Sequence, residues 1–224
     1  MGVVVDEEYW SGVRAMRLRV ADLLDSLSPA EWNASSLCRG WRVRDVAGHL
    51  AVVPTISTWD LITVAPGARF NPHRINTLLA ISHGSRDPDD IVAEIRQHAG
   101  DRRTAKVLDT RNSLFDVIVH SQDITLPLGR DFPVPTEYSR EGLLRVWAMG
   151  WPFNARRNLA GLTLTATDTD WTVGAGPAVA GTALSLLLLL TGRTAAVVDT
   201  LHGSGVASLA TSPTNPRPRS DGRQ

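Results

Sequence analysis

Apolar residues recur at helical spacing from near the start of the chain. Trp10, Val13, Met16, Leu18, Val20, Leu23, Leu24 and Leu27 predict a helix over 7–27 that Ser28-Pro29 ends. SPAEW opens a short turn or helical piece, and ASSLCRGW reads as a loop in which Gly40 permits a tight bend. The period resumes at Val43, Val46, Leu50 and Val53 and can extend to Leu61, with Pro54 kinking or dividing the segment. Asn71-Pro72 opens a third helix, running to Ser82, with proline at its favoured first position. Another helix spans Pro88 to Ala99 and is closed by Gly100. After a polar link, a helix starts at Ser113 and ends near Pro127 and Gly129, and a further one covers 136–150.

Beyond Arg157 the texture changes. LAGLTLTATDTDWTVGAG alternates apolar and polar residues around a turn-prone TDTD, the signature of a hairpin. A short helix over 181–191 is capped by Gly192, and VVDTLHGSGVASLA is expected to add one or two strands around Gly203 and Gly205. The expected fold class is therefore α+β. A helical bundle over 1–155 precedes a small α/β domain over 156–210, and a proline- and arginine-rich tail over 211–224 is expected to be disordered.

The helix SLFDVIVHSQDITLPLGR carries the candidate chemistry. With successive residues about 100° apart, Asp116, His120 and Asp123 fall within about 60° of one another. Phe115, Val119, Val117 and Ile124 flank this stripe, whereas Ser121 and Gln122 fall on the opposite face, which could meet water. Asp116 and His120, one turn apart, can reach one metal ion. Among the remaining histidines His49 is the best third donor, because it sits inside a helix among apolar neighbours, whereas His73, His83 and His98 lie near helix ends or on polar faces. Two histidines and a carboxylate leave an open position on a divalent metal, and zinc suits this donor set best. Asp-x-x-x-His is common by chance, and Asp45–His49 repeats it where an acid in a first helical turn is favoured by the helix dipole alone. Asp123 can orient His120, act as a general base or simply bond a neighbouring arginine, and the first is the expected functional role.

Composition removes several other readings. The 23 basic and 23 acidic residues cancel, and no helix has a clustered basic face, so nucleic acid is not an expected partner. The single cysteine, Cys38, forms no internal disulfide and fits a reducing cytoplasm. MGVVVDEEYWSG has no basic n-region, and ALSLLLLL is far shorter than the roughly 20 residues that span a bilayer, so a cytoplasmic protein without membrane insertion is expected. No histidine or cation neighbours Cys38 in an evident activating arrangement, so an inert buried thiol is expected. The tryptophans are expected in the core.

SSLCRGWRVRDVAGHLA, then DVIVHSQDITLPLGRDFPVP, then LTATDTDWTVGAGPAVAGTALSLLLLLTGR together resemble the mycothiol-dependent maleylpyruvate isomerase family over residues 8–210. The resemblance implies a DinB-like four-helix bundle followed by a small C-terminal α/β domain similar to sterol-carrier modules. It implies a divalent metal, zinc by preference, on His49, Asp116 and His120, with Asp123 in support. The family isomerase has glutamate at the position of Asp116, so here the metal would sit closer to the helix. Relatives often place Thr or Ser where this chain has Arg42, so the cap there is expected to be weaker or supplied otherwise. The resemblance further implies a small thiol, mycothiol, that turns to thiolate beside the metal and attacks a small-molecule electrophile, in isomerisation or S-transfer. Arg193 is the candidate for binding a substrate carboxylate. Two other readings stand beside this one: a non-catalytic binding or regulatory protein on the same fold, and a metal-dependent hydrolase that uses bound water.

Overall fold

The computed structural model describes residues 2–102 and 109–209, so the tail expected at 211–224 lies outside the described residues. The chain forms two compact units, Met1–Pro133 and Val134–Gln224.

The first unit contains α1 (Gly2–Asp25), α2 (Pro29–Trp32), α3 (Val43–Val52), α4 (Thr58–Val64), α5 (Pro72–Gly84), α6 (Pro88–Gln97) and α7 (Ser113–Leu128). α1 packs on α6 and α7, while α3 packs on α5, α6 and α7. α1, α3, α6 and α7 thus form the four-helix bundle, with α5 packed on the outside of α3. Val13, Met16, Val20, Leu24, Val46, Ile91, Leu114 and Ile118 are almost wholly buried, as the helical period required. Arg17 interrupts that stripe yet is buried, and its guanidinium donates to the carbonyls of His98, Ala99 and Asp101 in the turn just beyond α6.

Pro54 divides the second helical segment rather than kinking it. α4 begins afresh after Ser57, whose hydroxyl accepts from Asp60 N–H while the Asp60 carboxylate accepts from Ser57 N–H. Where α3 crosses α5 the backbones touch. A Cβ on Gly48 would lie 2.3 Å from Gly84 N and 2.7 Å from the Ala80 carbonyl oxygen. Only glycine at both positions permits this approach, which fixes the height of α3 one residue before His49.

α7 departs from the expected two-sided helix. Ser121 and Gln122 are buried, the first donating to the Ile118 carbonyl and the second to the Phe132 carbonyl. Local acceptors let both side chains enter the core, so the face that could have met water is covered. Pro127 lies in the last turn of α7, and Gly129 follows it in the left-handed conformation. The tryptophans also divide: Trp10, Trp32, Trp41 and Trp171 are buried, whereas Trp59 and Trp151 are exposed.

The second unit contains α8 (Thr136–Ala148), α9 (Ala155–Asn158), β1 (Thr163–Ala166), β2 (Thr172–Gly174), β3 (Ala178–Gly181), α10 (Ala183–Leu190), α11 (Thr194–Val197) and α12 (Val206–Leu209). The units part after Pro133 rather than near residue 155, because α8 packs its buried Leu143 and Val146 side against α10. Strand order is β2-β1-β3, with β1 antiparallel to β2 and parallel to β3; Leu164 pairs with Val173 on one side and Val179 on the other. The expected hairpin forms, and Asp168 in its turn accepts from Ala183 N–H at the start of α10. β3 was concealed in the sequence by running straight into the apolar helix. The strands expected around Gly203 and Gly205 do not form. That segment holds α11, a short 3-10 turn at Val198–Thr200 and α12, joined to the sheet by an isolated bridge between Ala180 and His202. Among the described residues no helix is long and apolar enough to cross a membrane.

Candidate metal centre

α7 places Asp116 and His120 on one face, and the glycine crossing of α3 sets His49 opposite them. His49 Nε2 lies 3.4 Å from Asp116 Oδ2, and His120 Nε2 lies 3.6 Å from Asp116 Oδ1. One donor atom from each of the three falls within 4.8 Å of the others, a spacing that could hold a metal ion. Neither ring nitrogen of His49 finds a hydrogen-bond partner although both are buried. An orphaned buried imidazole is costly, and a cation shared with Asp116 and His120 would relieve it at Nε2. The donor set therefore fits a borderline-soft divalent metal. Asp116 has the most accessible side chain of the three, 25% against 7% for His49 and 13% for His120, so the cluster is approached from its carboxylate. Burial pushes the Asp116 carboxyl up, but the imidazoles of His49 and His120, with Arg17 beyond them, outweigh it and hold the group down at about 2.

Asp123, wholly buried, places Oδ2 2.8 Å from His120 Nδ1. This is the arrangement a carboxylate would have if it oriented a ligating histidine, the first of the three roles considered for it. The premise that no histidine neighbours Cys38 is overturned. Its thiol donates to Asp123 Oδ2 at 3.0 Å and lies 3.6 Å from His120 Nδ1, because the fold closes an 82-residue separation that no sequence pattern displays. The loop that delivers it is a tight turn, with Trp41 N–H donating to the Cys38 carbonyl at 2.9 Å and Gly40 at φ 79°, the third position of a type II turn. The same turn brings Trp41 against both histidines, its ring 5.7 Å from that of His49 and stacked at 6.3 Å on that of His120. Trp41 is the site neighbour that sequence reasoning missed, although GWRVRDVAGHL had placed it eight positions before His49.

Comparison with known proteins bears on the whole arrangement. The family described as the mycothiol maleylpyruvate isomerase N-terminal domain matches residues 13–125, half of the chain. The chain belongs to this family. In three dimensions it is similar to the crystal structure of a histidine-to-alanine mutant of the mycothiol-dependent maleylpyruvate isomerase, with a TM-score of 0.62 and 17% identity over 88% of this chain and 92% of that one. A second structure of that isomerase gives a TM-score of 0.60 at 16% identity, with the same coverage. At such identity the likeness shows a shared fold. No curated protein matches the chain.

The remaining expected positions can be placed in this member of the mycothiol maleylpyruvate isomerase family. Arg42 offers no side-chain acceptor to α3; instead the Asp45 carboxylate accepts from Arg42 N–H at 2.8 Å and pairs with its guanidinium at 3.2 Å. Asp45 is thus occupied at the helix start and stands outside the metal-compatible clusters found among the described residues. His98 pairs with Asp101 at 2.9 Å, and His83 Nδ1 faces the Leu79 carbonyl at 3.1 Å. Arg193 belongs to the second unit, after α10, where its guanidinium donates to the Thr191 carbonyl at 2.7 Å.

The loop that carries Cys38 is flanked by an ion pair between Glu31 in α2 and Arg130, just past the end of α7, at 2.7 Å. The Arg130 guanidinium, with the backbone and hydroxyl of Ser28, holds the Glu31 carboxyl down at about 2 from its ordinary 4.5. A depressed carboxylate contributes stability that is complete above its unfolded value and is lost as pH falls through the folded one. Glu31→Gln is therefore expected to flatten the decline in unfolding midpoint between pH 4.5 and 2, leaving the neutral-pH dependence unchanged; acid titration of the thermal midpoint measures it.

Proposed function

We propose that this protein is a metal-dependent enzyme that uses a low-molecular-weight thiol, mycothiol, in isomerisation or S-transfer on a small electrophilic substrate. The observation that carries the reading is the convergence of Asp116 and His120 on the buried His49, whose Nε2 lies 3.4 Å from Asp116 Oδ2 without a hydrogen bond. Family membership and the names of its structural relatives supply the thiol and the isomerase chemistry. A bound divalent cation, zinc by preference, would favour the thiolate form of a thiol presented to it. The chain's own part is to present three donors, to keep the His120 proton on Nδ1 against Asp123, and to wall the histidines with the Trp41 indole.

The test is turnover of maleylpyruvate and related α,β-unsaturated acids with and without mycothiol. Turnover that needs the thiol and disappears with a chelator is expected. Chelator-sensitive turnover without any thiol would instead assign a metal-dependent hydrolase, and no turnover would favour a binding protein. For that last reading the second unit offers a cavity of about 190 Å³ lined by Phe153, Leu159, Leu189 and Leu190. Ligand sites run to about 300–1,000 Å³, so this cavity falls short of one and gives the binding reading little support.

A further inference from the structure

We propose that Cys38 is a positioning residue for His120 that acts through Asp123; the inference rests on the metal reading above. Asp123 Oδ2 lies between the two groups, 2.8 Å from His120 Nδ1 and 3.0 Å from Cys38 Sγ. A carboxylate can only accept, so the imidazole proton sits on Nδ1 and the Nε2 lone pair is presented toward Asp116. The thiol proton then has Oδ2 as its acceptor, because Nδ1, 3.6 Å away, already carries a proton. Two donors converging on one oxygen fix the carboxylate more tightly than the imidazole alone can. The loop also grips the backbone of the same residue, Leu37 N–H donating to the Asp123 carbonyl at 3.0 Å. Side chain and main chain of Asp123 are thus both held by consecutive residues, Cys38 and Leu37, of one loop, and His120 inherits that placement.

Cobalt(II) alone is the probe, titrated into the full chain purified without a metal-affinity tag and followed by its visible ligand-field absorption. Cys38→Ala is expected to weaken cobalt binding by about three- to tenfold, less than the 10–100-fold typical of a ligand's direct partner, and to shift the absorption band. Cys38→Ser, which keeps a donor for the same oxygen, is expected to bind within about twofold of the parent chain. A thiol needed only for packing would lower the metal-free unfolding midpoint in Cys38→Ala and leave cobalt affinity alone. Methylthiolation of the folded parent, which has a single cysteine, removes the proton without a substitution and should weaken binding reversibly. Unchanged affinity in Cys38→Ala or in the blocked protein overturns the proposal, as does a Cys38→Ser chain no tighter than Cys38→Ala. A parent chain that binds no cobalt removes the metal reading and this inference together, whereas cobalt binding indifferent to Cys38 removes the inference alone.

Discussion

His120→Ala is expected to purify without stoichiometric metal, as is His49→Ala, under conditions where the parent chain retains one divalent ion per molecule. Losing either imidazole leaves two donors, and the penalty should exceed the upper end, about 100-fold, of what a change beyond the ligands costs. The two variants should differ in stability, because their imidazoles sit differently. His120 gives up its 2.8 Å bond to Asp123 and leaves a wholly buried carboxylate short of a donor, whereas His49 gives up no more than its 3.4 Å contact with Asp116. Metal-free His120→Ala should therefore unfold at a lower temperature than metal-free His49→Ala. In the parent, metal at a hundred times its dissociation constant adds about 2.7 kcal/mol, a rise of roughly 5–10 °C in Tm, and neither variant should respond. Elemental analysis and thermal unfolding with and without metal decide this; metal content equal to the parent's in both variants would remove the three-donor site.

The second large effect is expected at a residue with no chemistry. Gly48→Ala places a Cβ 2.3 Å from Gly84 N, 2.7 Å from the Ala80 carbonyl oxygen and 2.8 Å from Gly84 Cα, all backbone atoms of α5. No rotamer change can relieve backbone contacts, so the helices must separate. Overpacking in a well-packed core costs about 1–3 kcal/mol and occasionally more, and this case belongs at or above the top of that range. Because His49 is the next residue, separation also draws one donor away from Asp116 and His120. Gly48→Ala should thus lose stability in urea unfolding and metal affinity together, whereas alanine at Gly67, where a Cβ would meet nothing closer than 3.6 Å, should leave both unchanged.

Much of this was legible in the chain. The helices of the first unit announce themselves through apolar spacing and through caps and breakers such as Asn71-Pro72, and the stripe of Asp116, His120 and Asp123 follows from helical geometry. His49 was identifiable because a histidine inside an apolar helix needs a reason to be there. Tertiary facts were not legible. Ser121 and Gln122 read as a solvated face because their acceptors, carbonyls of Ile118 and Phe132, are invisible to a wheel. Cys38 read as inert because its partners lie more than eighty residues away. β3 was masked because a short apolar strand leading into an apolar helix has no periodicity of its own to contrast with it.

Pro127 gives the end of α7 a meaning beyond helix termination. A helical residue at that position would ordinarily donate its N–H to the carbonyl four residues back, which is that of Asp123; proline has no such proton, and its ring tilts that carbonyl outward. The acceptor left over is the one that Leu37 N–H takes at 3.0 Å. A defect in one helix is therefore the socket into which the neighbouring loop plugs. Helix regularity and loop attachment draw on the same oxygen, so a substitution that perfects α7 would weaken one of the bonds that hold the loop bearing Cys38 and Trp41. At this position the chain has exchanged a stronger helix for a fixed wall around its histidines.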